Sequence, residues 1–151
     1  MGEIYVQRHF GAAAKDRMVD LVKNLIQAYR ISIQSLDWMS QETKEKAFIK
    51  LEKFTPKIGY PDKWRDYTKL TITKGDLLGN LERITKFSAD YEYAKIGKPV
   101  DKTEWHMTPQ TVNAYYNPGM NEIVFPAGIL QPPFFDVLAE DDAANYGGIG
   151  A

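Results

Sequence analysis

Only two histidines, His9 and His106, occur in the chain, separated by most of its length. Neither falls in the H-E-x-x-H spacing that puts two imidazoles on one helical face. With no cysteine to supply thiolates, a complete zinc site is not expected within these residues, and each histidine is assigned a structural or surface role. Glu140-Asp141-Asp142 lacks the glycine turn and alternating oxygen ligands of a calcium loop. It reads as a solvated acidic turn or a helix start. Gly147-Gly148-Ile149-Gly150 has no evident strand before it and no Lys-Ser/Thr pair after it, so close backbone packing explains it better than phosphate binding. A serine or lysine nucleophile needs a base and an orienting partner at defined positions, and no such set stands out.

Binding is more legible than catalysis. Residues 111–116 and 122–125 are rich in β-branched and aromatic side chains and flank Asn117-Pro118-Gly119-Met120-Asn121, a link suited to a hairpin loop. Polar Asn113 beside small Ala114 would lie in an extended segment that offers backbone donors and acceptors at a sheet edge, where a peptide can add as another strand. Ile129, Phe134 and Phe135 would floor an apolar pocket. An ordinary internal hairpin and ordinary core packing are the competing readings of the same residues.

These segments need a frame, and the preceding residues predict a helical one. Met18, Leu21, Val22, Leu25, Ile26, Tyr29, Ile33 and Leu36 recur at steps of three and four, giving a helix over about 15–36. Ser40 is placed to cap a second helix with Glu42 in its first turn. Ala47, Phe48, Leu51 and Phe54 form its stripe before Pro56 ends it. Gly59-Tyr60-Pro61-Asp62 has turn chemistry. A third helix should start near Asp76, with Leu77, Leu81, Ile84, Phe87 and Tyr91 as its stripe and Gly97 and Pro99 beyond its end. Gln131-Pro132-Pro133 forces an extended segment.

Composition sets the outer limits. The 151 residues, 44% apolar and 26% charged, suit one folded domain of ordinary size. A formal charge of −1 argues against nucleic acid as a partner. No apolar run approaches the ~18–20 residues of a membrane span, so no membrane contact is evident.

The residues singled out for binding closely resemble the neprilysin family of zinc metallopeptidases, the group called M13. Asn113-Ala114-Tyr115-Tyr116 is similar to that family's Asn-Ala-aromatic-Tyr strand. The run from Asn121 through Glu122-Ile123-Val124-Phe125-Pro126-Ala127-Gly128-Ile129-Leu130 to Gln131-Pro132-Pro133-Phe134-Phe135 resembles the block that follows it. Asn145-Tyr146-Gly147-Gly148-Ile149-Gly150-Ala151 resembles the approach to the family's zinc helix. Weaker likeness extends to Tyr5-Val6, Leu36-Asp37-Trp38-Met39, Thr43-Lys44 and Ile58-Gly59-Tyr60-Pro61-Asp62.

The resemblance implies a mainly α architecture with a small β-hairpin, an α+β fold. Residues 1–98 would form a helical region and residues 99–151 a β-hairpin and substrate wall leading toward the zinc helix. It also implies that both ends are cut from a much longer enzyme. By position, Asn113 and Ala114 match residues that bind the substrate's backbone, and Ile129 and Phe134 match residues lining the pocket for the side chain just after the scissile bond. The partners implied are peptide substrates, and the cofactor is Zn, held in the parent enzyme by ligands outside this chain. The fragment is expected to be inactive and to self-associate through surfaces shaped for absent parts. Animal members are disulfide-rich ectoenzymes, so the lack of cysteine points to a bacterial, extracytoplasmic member, with a cytoplasmic one as the alternative. The rival function is a non-catalytic peptide-binding or protein-interaction module.

Overall fold

Three alanines, Ala12–Ala14, favour helix more than any other residue type. They carry α2 (Ala12–Ser35) a turn further toward the N-terminus than its apolar periodicity predicts. In the computed structural model, which describes residues 1–150, Ala14, Met18, Leu21 and Val22 of α2 are buried, whereas Tyr29 on the same stripe is exposed. Ahead of it runs α1 (Gly2–His9), which buries only Val6. With so little apolar periodicity it gives no signal in the sequence. Ser40 caps α3 (Gln41–Glu52) as expected, its Oγ accepting from the Thr43 N–H at 3.3 Å. The stripe Ala47, Phe48, Leu51 and Phe54 is half-buried.

A three-stranded sheet completes this unit. The expected hairpin forms from β2 (Tyr115–Asn117) and β3 (Glu122–Pro126), antiparallel, with Tyr115 opposite Val124 and Asn117 opposite Glu122. The third strand corrects the reading of Pro56 as no more than a helix stop. Thr55–Gly59 is β1, parallel to β3 from Thr55↔Glu122 to Gly59↔Pro126, and the order is β1-β3-β2. An edge strand tolerates the proline, because the missing N–H can face away from the sheet. The pairing is long-range, so local sequence does not announce it.

Ile58, Val124, Ala127, Leu130 and Phe135 are buried together with Phe10 and Met18 as the core. Gly59 has φ +77, and a Cβ there would collide with the Phe10 ring. Glycine is therefore required twice at that turn. Between β1 and β3, Lys57 Nζ meets Glu122 Oε2 at 2.7 Å, with the two side chains 9% and 2% exposed. Glu122 Oε1 has no hydrogen-bond partner among the described residues.

The chain divides into two compact units, Met1–Pro61 with Trp105–Ala151 and, separately, Asp62–Glu104. In the second, Asp76 caps α4 (Leu77–Tyr93), accepting from the Gly79 N–H at 3.0 Å and pairing with Arg83 at 2.9 Å. Phe87 and Tyr91 are half-buried, with the Arg65 guanidinium 4.0 Å from the Tyr91 ring centre. Leu77, Leu81 and Ile84 of the same stripe are exposed.

Candidate functional site

Residues 113–114 lie immediately before β2, an outer strand of the sheet. Asn113 is exposed and turns its own Oδ1 onto the Ala114 N–H at 2.8 Å. The donor expected to be open at Ala114 is thus occupied by its neighbour, because a short amide side chain reaches its adjacent backbone easily. Asn113 Nδ2 makes no bond among the described residues, and Ala114 is half-buried.

Several contacts fix this approach. The Tyr115 hydroxyl accepts from the His106 N–H at 3.0 Å, and the two rings lie 5.9 Å apart. Gly128 donates its N–H to Pro109 O at 2.7 Å. A Cβ on Gly128 would come within 2.7 Å of the Gln110 backbone, so only glycine lets the chain pass this close.

At the far end of the hairpin, Asn121 (φ +50) acts as a junction. Its Oδ1 accepts from Lys50 Nζ and from the Tyr116 hydroxyl, both at 3.0 Å. Its Nδ2 donates to Lys50 O at 2.9 Å, and its carbonyl accepts from the Thr55 N–H at 3.0 Å. Sequence reasoning identified Asn121 only as a loop residue. The signal available was an asparagine, which tolerates positive φ, just before a strand.

Ile129 is half-buried and Phe134 is 40% exposed, whereas Phe135 is 1% exposed. Phe135, expected beside Phe134 in a pocket floor, belongs instead to the core. It also lines a cavity of about 220 Å³ together with His9, Phe10, Leu130, Gln131 and Leu138, and this cavity includes neither Ile129 nor Phe134.

Behind Phe134 the chain enters α5 (Ala143–Ile149) just after Asp142, so the acidic run does start a helix. Asn145, 2% exposed, accepts from the Asp136 N–H at 2.8 Å and donates to Asp136 O at 3.0 Å and to Asp142 Oδ1 at 3.1 Å. Arg17 of α2 donates to Asp142 Oδ1 from Nε and Nη2 at 3.0 and 2.8 Å. It also donates to Val137 O at 2.6 Å and to Ala139 O at 2.7 Å. The Asn145 amide first, then the Arg17 guanidinium, hold the Asp142 carboxyl below the usual carboxylate range. Close packing accounts for Gly148, since a Cβ there would collide with the Phe134 carbonyl.

Among the described residues, no three His, Cys, Asp or Glu side chains come together in a way that would hold a metal ion. His9 lies against Tyr5 with ring centres 4.9 Å apart. These residues do not fit a zinc ion, and no catalytic step is derived through one here.

The helical frame with its small sheet is the class of fold found in zinc metallopeptidases of the neprilysin type. A crystal structure of the zinc metalloprotease Zmp1 of Mycobacterium tuberculosis, in complex with an inhibitor, matches with 64% identity and a TM-score of 0.89, covering 99% of this chain and 22% of that one. A crystal structure of PepO from Lactobacillus rhamnosis HN001 matches with 37% identity and a TM-score of 0.90, over 99% of this chain and 24% of that one. The neutral endopeptidase of Lactococcus lactis is 42% identical over 151 residues, 99% of this chain and 24% of the relative. Models described as peptidase family M13 match residues 1–61 and 113–151. The chain belongs to peptidase family M13, a family of zinc metalloendopeptidases. It spans about a quarter of the length of the relatives it matches.

Proposed function

We propose that this chain forms part of the peptide-binding wall of a zinc-dependent endopeptidase that cleaves oligopeptides. The observation that carries this reading is the exposed Asn113, with an unbonded Nδ2, at the entry to an outer strand. A peptide laid along that edge would gain main-chain hydrogen bonds as an added strand, with Asn113 Nδ2 donating to one of its carbonyls. Ala114 is small enough to let the peptide backbone approach. Ile129 and Phe134 would take the apolar side chain that follows the scissile bond, and burying such a side chain contributes roughly 1.5–3 kcal/mol.

In this reading residues 99–151 carry the contacts and residues 1–98 support them. Zinc, held by residues outside this chain, would polarise the scissile carbonyl and activate a water in the whole enzyme. The residues described here bind and orient the peptide. An extracytoplasmic setting suits an oligopeptide-cutting enzyme of this family. Among the described residues no helix is long and apolar enough to cross a membrane.

Two variants of a full-length enzyme containing this segment test the role of Asn113. Asn113→Asp keeps an acceptor for the Ala114 N–H but removes the NH2 donor, whereas Asn113→Ala removes both. Losing a neutral hydrogen bond of about 0.5–1.5 kcal/mol should lower kcat/KM by roughly 2- to 10-fold in both variants. Zinc content and melting temperature of Asn113→Asp should match the wild type. Wild-type efficiency in a folded Asn113→Asp enzyme, with a lowered melting temperature only in Asn113→Ala, would reduce Asn113 to a turn-forming residue.

A further inference from the structure

We propose that Arg17 and Asn145 are positioning residues which together latch the segment carrying Phe134 and so set the side-chain preference of the apolar pocket. This deepens the function proposed above and rests on Phe134 lining that pocket.

The argument begins with how little local structure holds residues 134–142. They contain no strand and no helix, yet Phe135 at their start is fully buried and Phe134 points outward. A segment without its own ladder must have its backbone groups satisfied from elsewhere. Here the partners come from two helices. Asn145 of α5 takes both the N–H and the C=O of Asp136, two residues from Phe134, and its burial leaves its amide no water to exchange with. Arg17 of α2 takes the carbonyls of Val137 and Ala139 and closes the set on Asp142, whose carboxylate Asn145 also touches.

The same guanidinium thus grips both the loop and the start of α5. A guanidinium's planar fork suits this task, because its donors point in fixed directions and one side chain serves three acceptors. Asn24, two turns along α2 from Arg17, donates to the Tyr146 hydroxyl at 2.9 Å and fastens α5 at a second point. Gly148 then brings α5 against the Phe134 carbonyl with no room for a side chain. The position of Phe134 is therefore set by α2 and α5 and not by its own neighbours in sequence. Moving the pocket wall by even a methylene's width is felt as a change in selectivity, worth about 10-fold or more.

The experiment uses the 151-residue chain, with Arg17→Gln and the milder Arg17→Lys. Amide hydrogen exchange and the Phe134 ring resonances are followed by NMR, and two blocked peptides, Ala-Gly-Leu-Ala and Ala-Gly-Gly-Ala, are titrated. In Arg17→Gln the Asp136 amide should exchange about 10-fold faster, in line with loss of support for one hydrogen bond. The Phe134 ring signals should move, while Met18, Leu21 and Val22 keep their protection. Arg17→Lys retains a charge for Asp142 but not the fork for the carbonyls, and should fall between the two. The preference for the Leu peptide over the Gly peptide should shrink in the same order. Unchanged Asp136 exchange and unmoved Phe134 signals in Arg17→Gln would overturn the latch. So would loss of protection throughout the chain in both variants, which would make Arg17 a general support of the fold. A wild-type chain that binds both peptides equally would sink the pocket reading, while the exchange data would still decide the latch.

Discussion

Helices α2 and α4 carry the same kind of apolar repeat and meet different fates. On α2, Met18 is 0% and Leu21 3% exposed, whereas on α4 Leu77 is 71% and Leu81 51% exposed. Periodicity shows that a helix has an apolar face, because residues three and four apart share a side. It does not show what covers that face. In the first unit the cover is supplied by segments far apart in sequence, with Phe10, Val124 and Phe135 all fully buried. In the second, the capping and aromatic–cation contacts hold α4 together while much of its stripe faces outward.

The largest expected effect lies in the first unit. Lys57→Met leaves Glu122 buried without its partner and should cost about 3–5 kcal/mol in urea unfolding. Replacing both groups with apolar residues of similar size, as in Lys57→Met with Glu122→Leu, should recover most of that loss. A fully destabilised double variant would show that the pair itself is required. Met18→Ala comes next, at about 2–5 kcal/mol, because it empties a packed site. Leu81→Ala on α4 should stay within roughly 0.5 kcal/mol. Equal losses in these two variants would erase the contrast between the units.

A third prediction addresses the uncovered stripe. The chain should self-associate in a light-scattering concentration series, and Leu78→Glu with Leu81→Glu should reduce association without lowering the melting temperature. A monomer at every concentration would show that the exposed stripe is tolerated in isolation.

The smallest effects are electrostatic. Each unit has one capping-region carboxylate held below its ordinary pKa. For Asp142 the cause is Asn145 and then Arg17, and for Asp76 it is Arg83 and then the Gly79 N–H. A depressed folded-state pKa gives stability that is fully present above the unfolded value, near 3.8 for both. That stability is lost as the pH falls through the lower folded value. Asp142→Asn and Asp76→Asn should each flatten the acid limb of stability against pH below about 4. An acid limb unchanged in both variants would count against either pairing in solution.

Much of the frame was legible in the sequence, including α2, the Ser40 cap, the Asp76 start of α4 and the hairpin around Pro118-Gly119. These depend on neighbours within a turn or a loop. α1 was not legible, since it buries a single residue, and β1 was masked by a proline that an edge strand accommodates. Within the candidate site, Asn113 and Phe134 stand out by type and by resemblance. Asn121, Arg17 and Asn145 do not, because their partners lie elsewhere: Arg17 and Asp142 are 125 residues apart.

By itself, then, the sequence determined which faces are apolar, where the helices begin and where the chain turns back as a hairpin, because backbone sterics and side-chain periodicity act locally. Only the tertiary structure decided that Thr55–Gly59 would lie parallel to β3, that Phe135 would turn inward while Phe134 stayed outside, and that one arginine would grip a distant loop. Those outcomes depend on which surfaces meet across long stretches of chain, and the types of neighbouring residues do not encode that.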